Sequence, residues 1–384
     1  MVSQRLQNVP ASGTVAISNK VSRLKAEGQD IISFSMGEPD FTTPINIIDA
    51  CKESLDNGFT HYTPSPGIPE LRRAIAEAAH TENGISCRGA NVLVTPTKQA
   101  IFMTCLGFLD PGDEVLLPNP AWVSYEACIR LAGATPVFVP TYFEDGFVID
   151  PAMLEAAITP KTKMMIINSP SNPTGCVIPE EVLREIASIA AIHDILVLSD
   201  EIYEKVIYEG KHFSIASLPD MFDRTITVSG LSKTYAMTGW RMGWAIASEE
   251  TISNLNKLQS HSISCCVSFA QQASVEAIKG DQTQRYKFNE QFKQRRNLAV
   301  DLINDMKGMD VNVPQGAFYL FPRYESDIKS SKLATMLLEQ AHVAVTPGSA
   351  FGPAGEGFFR ISYATGEDQI REGMDRIKGF LADL

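Results

Sequence analysis

A chain of 384 residues, 44% hydrophobic and 20% charged, is too long for a peptide module or a disulfide-stapled scaffold. Its composition lies near the globular average, which excludes a fibrous or wholly disordered chain. With 33 basic and 45 acidic side chains the formal charge is -12, which argues against a general binder of nucleic acid or anionic membrane.

The first 40 residues read as an arm. They open without a charged-then-apolar leader, so a cytoplasmic protein is expected. GEPDFTTP reads as an irregular loop. From about residue 90 short apolar runs alternate with helical stretches. NVLVT, EVLLP, PVFVP, KMMIINS, ILVLS, TITVS and GWAIAS suit strands buried on both faces of a largely parallel sheet. Between them the pattern predicts helices over Lys98–Leu109, Trp122–Ala132, Glu180–His193 and Glu249 to about Lys257. This alternation argues for an α/β fold, with a sheet of seven strands flanked by helices. After Gly280 the style changes to a long charged helix, the strand-like VNVPQGAFYLFP, a helix over Ser331–Ala341, the strand-like FFRISYA and a last helix over Gly366–Leu381. The expected division is an arm (1–40) belonging to a small α+β domain (281–384), with a large domain (41–280) between them.

No apolar run approaches the roughly 18 residues needed to span a bilayer, so no membrane partner is expected. Seven cysteines form no CxxC pair and six histidines no HExxH, so no metal site is expected. The cluster GSAFGPAGEG precedes a strand, opens no helix, and reads as a flexible loop.

In open α/β sheets ligands collect at the carboxyl ends of the strands. Those ends deliver Pro96-Thr97-Lys98, Asn172 in SPSNPTG, Asp200 with Tyr203 a turn later, and Ser232-Lys233. An amide, a carboxylate, a phenol and an amine at successive strand ends suit an aldehyde cofactor held by a lysine. Pyridoxal 5′-phosphate needs an acid at its ring nitrogen, donors at its phenolic oxygen and an anion site. Asp200 fits the first, and Asn172 with Tyr203 the second. A helix capped by Thr95, with Pro96 in its first position, fits the third by freeing the amides of Thr97 and Lys98. Arg241 adds fixed charge there, and Trp122 could stack on the ring. Each residue alone has a plainer reading: Lys233 and Arg241 as surface cations, Asp200 as a helix cap in DEIY, Asn172 as a turn residue, Trp122 as core.

GLSKTYAMTGWRMG closely resembles the lysine signature of the class I and II aminotransferases, of the pyridoxal-phosphate fold-type I superfamily. SPSNPTG, SDEIY, GEPDF, HYTPSPGIPELR and FFRISYAT resemble further segments of that family in the same order, over nearly the whole chain. Within it the chain is similar to prokaryotic and archaeal-type aspartate and aromatic amino acid enzymes. The resemblance implies that Lys233 is both the covalent anchor of the cofactor and the base that moves the substrate α-proton. It implies that Arg360 clamps the α-carboxylate, assisted by the Gly37 amide and Asn172, whereas by itself Arg360 reads as an arginine in an edge strand. It implies that Tyr62 reaches the phosphate of a second subunit in a homodimer with shared sites. Ser12 matches a position near the substrate side chain, and a helix cap is an equal reading. There are two departures. Pro96 stands where the family often has glycine, and Gly230 where many relatives have a phosphate-binding serine, for which Ser232 is the candidate substitute.

The expected activity is ping-pong transfer of an amino group from an L-amino acid, aspartate or aromatic, to 2-oxoglutarate. The alternatives on the same scaffold are a carbon–sulfur β-lyase, which would need no oxoacid, and a transaminase of kynurenine or alanine specificity. A cofactor-sensing regulator is disfavoured, because the chain is acidic and shows no added DNA-binding region.

Overall fold

The computed structural model describes residues 2–9 and 13–382. All seven apolar runs form strands of one sheet. They are β1 (Val92–Val94), β2 (Glu114–Asn119), β3 (Thr135–Pro140), β4 (Thr162–Asn168), β5 (Leu196–Asp200), β6 (Thr225–Gly230) and β7 (Gly243–Ile246). Their spatial order is β1-β7-β6-β5-β4-β2-β3. Only β7 runs against the others, pairing antiparallel with both β1 and β6. Period-two alternation sends side chains to both faces. Met164 and Ile166 of β4 join a core with helices Thr97–Phe108, Val123–Ala132 and Glu249–Ser260. Met165 and Ile167 join the opposite core, under helix Glu180–Ile192. A sheet covered on both faces exposes only its ends, and the parallel strands share one carboxyl end.

The other unit has a three-stranded antiparallel sheet with Phe359–Ser362 in the middle, between Tyr319–Leu320 and Thr346–Pro347. Arg360 therefore stands in a central strand, where an edge strand was the plainer expectation. Helices Thr283–Asn304, Ser330–Gln340 and Glu367–Ala382 surround this sheet. The segment Ile32–Ser33 pairs in parallel with Val343–Ala344 and so ties the arm to this unit. The same core takes in Ile202, Tyr203, Val206 and Tyr208, the turn that leaves β5. That turn is no helix, contrary to the reading of DEIY as a helix start.

GSAFGPAGEG is not a free loop. It forms two short 3₁₀ turns, Gly348–Phe351 and Pro353–Gly355. Gly348 N donates to Phe358 O (2.8 Å) and Ala354 N to Asn119 Oδ1 (2.7 Å). Its glycines allow close backbone approach: a Cβ on Gly348 would fall 1.9 Å from Gly355 O.

Next to Asp200 in sequence, Glu201 is 1% exposed and its Oε2 lies 2.8 Å from His212 Nε2. Its Oε1 accepts from Ser199 Oγ (2.9 Å) and Ser214 Oγ (2.7 Å). Burial alone would lower the imidazole pKa, but the charge and hydrogen bond of Glu201 outweigh it and raise it. A raised folded pKa stabilises most below the ordinary value of about 6.5 and loses its effect as pH rises through the folded value. His212→Asn should therefore lower the unfolding free energy by about 3 kcal/mol at pH 6, with a smaller deficit at pH 9. Chemical denaturation at the two pH values checks this, and a deficit independent of pH would contradict it.

Candidate active site

A cavity of about 580 Å³ opens at the carboxyl ends of the parallel strands, within the usual range for small-molecule sites. It brings together Thr97, Lys98, Trp122, Asn172, Asp200, Tyr203, Ser232, Lys233, Arg241 and Arg360, with Gly37. One expected residue, Tyr62, is not among those that line it. Ser12 lies outside the described residues. Tyr62 is 91% exposed and away from this chain's own cavity.

At one end the cavity is lined by a helix N-terminus. The helix starts at Thr97 with Pro96 as its N-cap, one residue later than the sequence suggested. The reason is the sheet: Thr95 N donates to Gly243 O and stays with the strands. Pro96 makes no side-chain cap, so Thr97, Lys98 and Gln99 have first-turn amides without an intrahelical partner. Close packing accounts for Gly230. A Cβ there would lie 2.7 Å from Thr97 Oγ1, which donates to Ser229 O (2.9 Å). The threonine hydroxyl occupies the space a serine at 230 would need. Arg241, at φ 58°, turns back so that one of its nitrogens donates to Thr238 O (2.9 Å).

Asp200 ends β5 and is 2% exposed. Its Oδ2 accepts from Tyr125 Oη (2.7 Å) and its Oδ1 from the Ile202 amide (3.1 Å). Burial raises its pKa to about 6 against these two hydrogen bonds, so it is chiefly ionised at neutral pH. Lys233 Nζ donates to the Gly37 carbonyl at 2.6 Å, so it is the carbonyl of Gly37 that meets the amine. Burial, opposed by Glu38 and assisted by Arg360, Arg241 and Lys98, brings the Lys233 pKa down to about 8. Tyr203 Oη lies 2.7 Å from Tyr319 Oη.

Arg360 is 3% exposed. One terminal nitrogen donates to Asn172 Oδ1 (2.9 Å) and the other to Ser35 O (2.7 Å), while its Nε is buried without a partner. Its guanidinium sits 4.5 Å from the Tyr319 ring centre and 5.2 Å from that of Phe351. Among the described residues no acidic side chain pairs with it. Among the described residues Lys98 has no acidic partner either; its ammonium stands 4.6 Å over the Trp122 ring, and partial desolvation lowers its pKa although the side chain stays exposed to solvent. The cavity thus holds one buried cation, Arg360, and a second, more exposed one, Lys98, both open to an anionic ligand.

A match to the family model described as aminotransferase class I and II spans residues 29–377. The chain belongs to the class I and II aminotransferases. The aspartate aminotransferase of Pyrococcus abyssi is 45% identical, over 95% of this chain and 95% of its own. The aromatic-amino-acid aminotransferase 2 of Thermococcus litoralis is 44% identical, over 92% of each. The structure of the aspartate aminotransferase from Thermus thermophilus with maleate superposes with a TM-score of 0.95 at 40% identity, covering 99% of both chains. The α/β fold expected from the strand pattern is that of these aminotransferases.

Sequence reasoning missed Tyr125, Ser35, Glu38, Tyr319 and Phe351. Tyr125 was within reach, since it comes three positions after Trp122 on a helix leaving a strand end. The others come from the arm, the small sheet and the glycine-rich turn after Pro347, and only the fold delivers them.

Lys233 at about 8 has a neutral fraction that rises through that pH. Borohydride trapping of a simple aliphatic aldehyde on cofactor-free protein, located by peptide mapping, should label Lys233 with a midpoint near pH 8. A midpoint near the ordinary 10.5 would contradict the buried, cation-flanked amine.

Proposed function

We propose that this aminotransferase uses pyridoxal 5′-phosphate and passes the amino group of an L-amino acid to 2-oxoglutarate by a ping-pong route, with aspartate as the first-choice donor. The observation that carries this reading is the buried Arg360, whose unpaired cation suits an α-carboxylate. Lys98 extends it, because a second acid-free cation in the same cavity suits the distal carboxylate of aspartate or 2-oxoglutarate. The Trp122 and Ile101 walls favour aromatic donors as the second class.

The donor set fits the cofactor. Lys233 would hold its aldehyde. Asp200 would face the ring nitrogen, with Tyr125 and the Ile202 amide keeping the carboxylate charged. Tyr203 and the amide nitrogen of Asn172 would donate to the phenolic oxygen, the Asn172 oxygen being occupied by Arg360. The amides of Thr97 and Lys98, together with Ser232 and Arg241, would hold the phosphate. When bound, the cofactor supplies an aldehyde that accepts the amino group and a ring that accommodates the electron pair left by the α-proton.

The protein's own work is positional and electrostatic. Arg360 and Asn172 orient the α-carboxylate, with Gly37 beside it. The Lys233 amine takes the α-proton and returns it, which requires a neutral fraction near physiological pH. Asp200 would face the ring nitrogen and hold a proton there.

The arm (1–40), the large domain (41–280) and the small domain (281–384) form part of the proposal, supported by the separate cores on either side of the cavity. So does a homodimer, in which the exposed Tyr62 would serve the neighbouring subunit's phosphate. A cytoplasmic setting agrees with seven free cysteines. No helix among the described residues is long and apolar enough to cross a membrane.

Purified protein loaded with the cofactor should be yellow, and Lys233→Ala should lose the visible band and the activity together. An active, normally coloured variant would overturn the mechanism. Lys98→Ala should raise KM for aspartate and 2-oxoglutarate about tenfold or more while leaving that for phenylalanine within about twofold. Equal loss across donors would remove Lys98 from side-chain recognition.

A further inference from the structure

The geometry points to Asn119 as a positioning residue for Arg360, acting through Phe351. Asn119 ends β2 and is 1% exposed. Its side-chain amide makes two bonds to a segment distant in sequence. Nδ2 donates to Phe351 O (2.6 Å) and Oδ1 accepts from Ala354 N (2.7 Å). The Ala121 amide donates to the same Phe351 carbonyl (2.9 Å). Gly352 makes this contact possible. At φ 105° and ψ 179° it holds a backbone conformation reserved for glycine, and a Cβ there would sit 1.9 Å from Asn119 Nδ2.

The contact matters because of what Phe351 does next. Its ring is 1% exposed and lies under the guanidinium at 5.2 Å, as the Tyr319 ring does at 4.5 Å. A buried arginine with no acid partner is held only by neutral contacts, here two hydrogen bonds and two ring faces. Asn119 anchors one of those faces to the rigid end of the large sheet. The segment between residues 348 and 357 thus couples the sheet that carries the cavity to the strand that carries Arg360.

The inference rests on the proposed role of Arg360 toward a substrate carboxylate. It is tested on the loaded enzyme by calorimetric binding of two unreactive acids, maleate and 3-phenylpropionate, which share a carboxylate and differ in the remainder. Asn119→Ala should weaken both about tenfold, raise KM for donor and acceptor alike, and leave kcat and the cofactor dissociation constant within about twofold. Phe351→Leu keeps apolar volume but loses the ring face. It should give the same split, and it carries the test if Asn119→Ala does not fold. In an Arg360→Ala background either change should add less than about twofold, because its effect passes through Arg360. Full additivity in that background, or equal loss of cofactor and acid binding, would overturn the inference. If Arg360→Ala itself leaves acid binding intact, the underlying assignment of Arg360 fails instead, and the two failures are distinguished.

Discussion

A guanidinium buried without an acid is the constraint around which this protein is arranged. Removing an ionised group from water costs several kcal/mol unless something answers the charge. Arg360 meets that cost in part with Asn172, the Ser35 carbonyl and the faces of Tyr319 and Phe351. None of these is negative, and its Nε still lacks a partner. The remaining demand is for an anion from solution. Burial lowers the pKa of Arg360 from its ordinary value, but an arginine stays charged at any physiological pH.

The same low-dielectric setting acts on Asp200 and Lys233 with opposite sign. Burial disfavours charge on Asp200 and on Lys233 alike, so it raises the first to about 6 and lowers the second to about 8. At neutral pH that leaves a carboxylate with two hydrogen bonds on one side and an easily deprotonated amine on the other. Neither state is set by the residue type alone. Both are set by a sheet covered on both faces, whose strand ends open into a cavity closed from the other side by the arm and the small sheet.

Much of this was legible in the sequence because its carriers are local. Val-, Ile- and Leu-rich runs bounded by turn residues marked all seven strands, and the residues just beyond the strand ends included Asp200, Asn172 and Lys233. What could not be read depends on contacts between distant segments. Thr95 is a reasonable cap on paper, but its amide belongs to Gly243 and the helix waits for Thr97. The glycine-rich segment after Pro347 looks mobile until Asn119 is found bound to it. Gly230 looks like a loss until Thr97 is seen occupying its space. The central place of Arg360 depends on its strand pairing with both Thr346–Pro347 and Tyr319–Leu320, which a single segment cannot reveal.

The most direct test of the central claim is the stoichiometry of a half-reaction. Loaded enzyme is mixed with excess L-aspartate and no oxoacid, and the products are counted per subunit. The expected result is one equivalent of oxaloacetate, no free ammonia, and loss of the yellow band that 2-oxoglutarate then restores while releasing glutamate. Continuous release of pyruvate and ammonia from an amino acid with a β-leaving group, with no oxoacid needed and no stalled half-reaction with aspartate, would contradict it.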